Sequence, residues 1–135
     1  MYLLDTNVIS ELRKLRPHGA VVAWPKSIAD ADLYMSAVTL AEIQAGIELT
    51  REQDAAEAAE IEAWADLVAT SYNVLPMDGR TFRLWARLMH RKSDTFYEDA
   101  MIAATAIVHG LTIVTRNATD FTLYNVNLLN PFGTT

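Results

Sequence analysis

The chain has no cysteine, so disulfides, thiolate nucleophiles and thiolate zinc sites are all excluded. Its three histidines, His18, His90 and His109, fall at no metal-ligand spacing. Five glycines and four prolines are too few for a low-complexity tract, and no linker or internal repeat interrupts the chain. No apolar run approaches the length of a membrane span. The opening Met1-Tyr2-Leu3-Leu4 meets Asp5 too early for a signal peptide. A cytoplasmic protein with no membrane contact is the expectation. What is present is ordinary globular material, 51% apolar and 21% charged over 135 residues, which suits a single domain spanning 1–135.

Acids outnumber bases and leave a net charge of -6, which argues against general coating of nucleic acid. The charge is unevenly spread. Between Glu48 and Asp66 stand seven acids against Arg51 alone, whereas Arg80, Arg83, Arg87, Arg91 and Lys92 form a run without an acid. One surface can therefore be basic on an acidic protein.

Hydrophobic periodicity gives alternating strands and helices. Met1–Leu4 reads as a buried strand, followed by a helix capped by Thr6 or Asn7 that carries Val8, Ile9, Leu12 and Leu15 up to Arg16-Pro17. A second helix holds Val21, Val22 and Trp24. Leu33–Val38 is the second strand, with Thr39 capping the next helix and Glu42 completing a capping box. Helix 55–72, strand 73–77, a helix from the Asp78 cap through Arg91, and a small-residue helix 97–108 closed by His109-Gly110 follow. Strands at 111–115 and 126–129 end the chain. This order predicts an α/β protein, a three-layer α/β/α sandwich with a mainly parallel central sheet.

Ligands of such sheets gather beyond the carboxyl ends of the strands. Four acids fall there: Asp5 after the first strand, Glu42 early in the helix after the second, Asp99 at the start of the small-residue helix, and Asp120 after the fourth strand. Each alone has a structural reading, as a cap, a capping-box acid, a helix-dipole partner or a turn former. Asp5 is the most anomalous, because Leu3, Leu4, Val8 and Ile9 surround it and none of the three lysines directly follows a strand. A buried carboxylate needs a partner or a proton. A hard divalent ion, Mg2+ with Mn2+ as substitute, would satisfy several such acids together. Carboxylate-held ions suit phosphodiester hydrolysis, with Arg83, Arg87, Arg91 or Arg116 available for flanking phosphates. By default Arg83, Arg87 and Arg91 are a solvated helix face, and Trp24, Trp64 and Trp85 are core or interface residues.

The segments Leu4-Asp5-Thr6-Asn7-Val8-Ile9-Ser10-Glu11-Leu12, Ser36-Ala37-Val38-Thr39-Leu40-Ala41-Glu42-Ile43, Asp99-Ala100-Met101-Ile102-Ala103-Ala104-Thr105-Ala106 and Val114-Thr115-Arg116-Asn117-Ala118-Thr119-Asp120-Phe121 resemble those of PIN-domain proteins, in particular the VapC toxin family of bacterial toxin–antitoxin pairs. The closing Leu128-Leu129-Asn130-Pro131 fits as well. The resemblance implies a magnesium-dependent endoribonuclease with Asp5, Glu42, Asp99 and Asp120 as its catalytic acids. Asp5 and Asp99 would be direct metal ligands, while Asp120 and Glu42 would serve a second ion or the attacking water. Thr6, Asn7, Thr115 and Asn117 match supporting positions. It also implies an RNA substrate, a homodimer and a cognate antitoxin. Asp94 and Glu98 lie close enough in sequence to share the role given to Asp99. Two alternatives stand beside this reading: a non-catalytic PIN-fold binding module, and a phosphotransfer enzyme working through an aspartyl phosphate at Asp5.

Overall fold

A computed structural model of the chain describes residues 1–14 and 19–132. Five short strands carry the sheet: β1 (Tyr2–Leu4), β2 (Leu33–Ser36), β3 (Asn73–Leu75), β4 (Thr112–Val114) and β5 (Leu128–Leu129). Between them run the helices α1 (Thr6–Glu11), α2 (Gly19–Lys26), α3 (Ala37–Arg51), α4 (Ala55–Ser71), α5 (Gly79–Met89) and α6 (Tyr97–His109). The strand order is β3-β2-β1-β4-β5, and every neighbouring pair is parallel. The chain thus builds outward from β1 on one side, then returns to lay β4 and β5 on the other.

Successive side chains of a strand face opposite ways, and the two halves of the core follow from that. Leu4 and Val114 point into a cluster with Val8, Ile9, Met35, Ile43, Ile47 and Val68. Leu3 and Ile113 point into the other, with Ala103, Ala106, Phe121 and Tyr124. Helices cover both faces, giving the three-layer α/β/α sandwich. Buried alanines at 100, 103, 104 and 106 let α6 lie close against the sheet.

The caps explain where elements begin and end. Asp78 caps α5 by accepting from the Thr81 amide, and Gly110 ends α6 at φ 66°, both as the sequence suggests. Elsewhere the boundaries move. The side chain of Asp5, not of Thr6 or Asn7, caps α1. Ser36, not Thr39, caps α3, so the second strand ends at Ser36 rather than Val38 and Glu42 is no capping-box residue. α1 ends at Glu11, and the expected Leu15 contact and Arg16-Pro17 break lie outside the described residues. Phe82 on α5 is 45% exposed. Among the described residues no helix is long and apolar enough to cross a membrane.

Candidate active site

The sheet reverses its direction of growth between β1 and β4, the place where open parallel sheets have their crevice, at the carboxyl ends of the strands. Asp5 directly follows β1 there and is 7% exposed. Its carboxylate accepts hydrogen bonds from the Thr6 amide at 2.8 Å, the Thr115 hydroxyl at 2.9 Å and the Asn7 amide group at 3.3 Å. Asn7 ties the crevice together, since its Nδ2 also reaches the Thr115 hydroxyl at 3.2 Å and its Oδ1 accepts from the Arg116 amide at 3.1 Å. The Thr115 oxygen accepts in turn from the Asn117 amide at 3.0 Å. On the opposite wall the Thr6 hydroxyl meets Thr39 at 3.1 Å and the Glu42 carboxylate at 3.0 Å.

All four acids singled out in the sequence border this crevice electrostatically, and Glu98 is a fifth. Burial and the charges of Asp120 and Glu98 raise the pKa of Asp5 against the lowering bonds from Thr115 and Thr6. Burial and the charges of Glu98 and Asp5 push Glu42 up to about 7, against the lowering bond from Thr6. Burial, Asp5, Asp120 and Glu98 push Asp99 up to about 6. Among the described residues no basic side chain acts on these three acids. Asp94, in the 3₁₀ turn before α6, does not act on them either. The buried Tyr124 hydroxyl feels the charge of Asp99 and has no hydrogen-bond partner among the described residues.

The expected basic residues divide. Arg83 and Arg87 are exposed on α5, and Arg91 follows it at φ 63°. Arg116 uses its guanidinium on Glu11 at 2.8 Å and lies 3.8 Å from the centre of the Phe132 ring. Glu11 is only 4% exposed and also pairs with Lys14 at 3.1 Å. That clasp was not read from the sequence, where a glutamate late in a helix looks like solvent-facing surface.

The donors facing the crevice are carboxylate and hydroxyl oxygens, the set a hard cation prefers. Among the described residues no three histidine, aspartate or glutamate side chains are placed to grip one ion together. Magnesium commonly takes only one or two protein carboxylates and keeps several waters, so the mutually repelling acids fit such an ion.

A family model for the PIN domain matches residues 2–125. The chain belongs to the PIN-domain family. Among proteins similar to this PIN-domain chain, the VapC ribonuclease Y4jK of Sinorhizobium fredii is 36% identical over 143 residues, covering 98% of this chain and 98% of that protein. The toxin FitB of Neisseria gonorrhoeae is 34% identical over 140 residues, covering 98% and 99%. The crystal structure of FitAcB from Neisseria gonorrhoeae superposes with a TM-score of 0.86 at 32% identity, covering 99% of this chain and 100% of that one.

Proposed function

We propose that this PIN-domain protein is a magnesium-dependent endoribonuclease, the toxin of a toxin–antitoxin pair, that hydrolyses RNA phosphodiesters. One observation carries the reading: Asp5, Glu42, Glu98, Asp99 and Asp120 form a chain of repelling carboxylates at the switch point of a parallel sheet, with no basic side chain acting on Asp5, Glu42 or Asp99 among the described residues. Such mutual repulsion is an electrostatic cost that a divalent ion relieves. The names of the VapC ribonuclease and FitB relatives support the activity and the biological role.

Asp5, Asp99 and Asp120 are the residues that would hold magnesium, with manganese as a substitute. When bound, an ion of this kind supplies charge neutralisation and Lewis-acid polarisation at a phosphodiester. The chain's own residues do the rest. Thr115 and Asn7 fix the Asp5 carboxylate by hydrogen bonds from one side and the Thr6 amide fixes it from another. Thr6 holds the Glu42 carboxylate toward the crevice, and its pKa of about 7 suits proton transfer at neutral pH. Arg83, Arg87 and Arg91 offer positive charge to flanking phosphates. Arg116 acts first on Glu11 and Asn7, holding the loop after β4.

A homodimer and a cognate antitoxin belong to the same proposal. Leu49, Leu67, Phe82 and Tyr97 leave large apolar side chains exposed, surface that a second chain would cover. The test is RNA cleavage by purified protein in magnesium and in excess chelator. Wild type should cut only with the ion, and Asp5→Asn and Asp120→Asn should not cut. Full activity in chelator, or in both variants, would overturn the proposal.

A further inference from the structure

Glu42 and Thr6 have a second side. Away from Asp5 they line an open-sided cavity of about 310 Å3 bordered by α1, α3 and α4. Its size lies at the small end of ligand sites. One wall is Trp64, a partly buried ring with the Arg13 guanidinium 5.9 Å from its centre. Ser10 and Thr50 also line it; the Thr50 hydroxyl donates to the Gly46 carbonyl at 3.0 Å, so it meets a ligand as an acceptor. On α3 the lining includes Gly46.

Gly46 stands inside a long helix, where glycine weakens the helix relative to alanine. Packing does not require it: a Cβ built there meets no atom within 4 Å. What the missing side chain keeps is open space beside Glu42. We propose that this cavity is a nucleobase subsite, which takes the base of a nucleotide flanking the cut phosphodiester against Trp64 and reads its edge with Arg13 and the Ser10 and Thr50 hydroxyls. The proposal rests on the ribonuclease reading, because shared Thr6 and Glu42 put the cavity next to the phosphate that reading requires. An unstacked base suits it: single-stranded RNA is recognised by aromatic and guanidinium stacking together with hydrogen bonds to base edges. An apolar peptide side chain would leave those polar groups unmatched. The adjoining hollow of Ile9, Leu12, Leu67, Val68 and Tyr72 on the far side of Trp64 is the better seat for one.

Gly46→Leu fills the cavity without replacing an acid, and Arg13→Gln removes the charge beside the Trp64 ring from an exposed position. Ala63→Leu adds a similar bulk on the exposed side of α4 as a control. Cleavage of oligoribonucleotides randomised around the cut is read by sequencing the products. Wild type and Ala63→Leu should prefer one base at a fixed flanking position. Gly46→Leu should flatten that preference and lower kcat/KM on the favoured sequence about tenfold to a hundredfold, the size of one lost base–aromatic stack. Arg13→Gln should lower it in the same direction. Binding of trinucleotides is read separately by tryptophan fluorescence in an Asp99→Asn background. If wild type cuts no RNA while binding stays base-selective and sensitive to Gly46→Leu, the nuclease reading falls and the subsite stands. Binding and cleavage that ignore both Gly46→Leu and Arg13→Gln would overturn the subsite, as would an effect of these variants on antitoxin binding alone.

Discussion

Glu42 and Glu48 lie on the same helix and end in opposite electrostatic states. Glu48 faces water among Gln44, Arg51 and Glu62, with Arg51 Nε at 3.0 Å and Gln44 Nε2 at 2.6 Å. Those bonds hold its pKa below the usual carboxylate range. Arg51 also reaches Glu62 at 3.1 Å, so the acid-rich faces of α3 and α4 are cross-linked through a cation. Glu42 has Glu98 and Asp5 for neighbours and a pKa pushed up to about 7. Acid content alone therefore says little. A cluster becomes a candidate for metal chemistry where carboxylates are desolvated together without a base, and remains ordinary surface where solvent and arginine already balance it.

The largest effect expected from this contrast is on catalysis. Asp99→Asn should lower RNA cleavage about a thousandfold, the several kcal/mol that an ion-held charge contributes, while leaving the melting temperature at or above that of wild type. An Asp99→Asn protein that cuts RNA normally would place the crevice in the same class as the Glu48 face. Thr115→Val sharpens the picture one step out. It removes the hydroxyl that donates to Asp5 and accepts from Asn117, and should cost about tenfold to a hundredfold in rate, as lost supporting hydrogen bonds to ligands do.

Next comes pH. Glu42 and Asp99 keep their protons to higher pH in the folded chain than in the unfolded one. The folded state therefore binds more protons between the ordinary value of 4.5 and about 7 for Glu42, and between 3.8 and about 6 for Asp99. Stability contributed by these two sites falls as pH rises through that window and is lowest above pH 7. In chelator the melting temperature should drop from pH 5 to 7.5, and Glu42→Gln should shallow the slope. Magnesium should raise the melting temperature most at the upper end, by about 3 kcal/mol of stability at a hundredfold excess over Kd. A pH-independent melting curve that magnesium leaves unmoved would break the contrast. The smallest effect belongs to Glu48→Gln, for which cleavage and melting should match wild type, because its charge is solvated and paired on the surface.

Much of this was legible in the residues. Asp78 and Gly110 mark their helix ends because each cap is a contact within one turn. The alternation of strand and helix predicts the parallel sheet, and the positions of Asp5, Glu42, Asp99 and Asp120 after strands or at helix starts point to one edge. Thr39 was read as the cap of α3 where Ser36 serves, since both hydroxyls sit near the junction and only the backbone path decides between them. Glu11 was harder still, because a charged residue in a helix reads as surface unless its distant partner, here Arg116, is known. Glu98 was marked only as an acid that could share the role of Asp99; its action on Glu42 depends on how α6 meets α3.

The amino-acid order by itself determined which segments are strands and helices, that thiol chemistry is absent, and that carboxylates follow the strands, because each of these depends on neighbours a turn or less apart. The tertiary structure alone decided that the returning β4 lies beside β1. That pairing puts Thr115 on Asp5, buries Glu11 under Arg116 and brings Glu98 against Glu42. Residues more than a hundred positions apart meet only when the strand order is chosen, and that choice is made by packing two faces of one sheet, not by any local pattern.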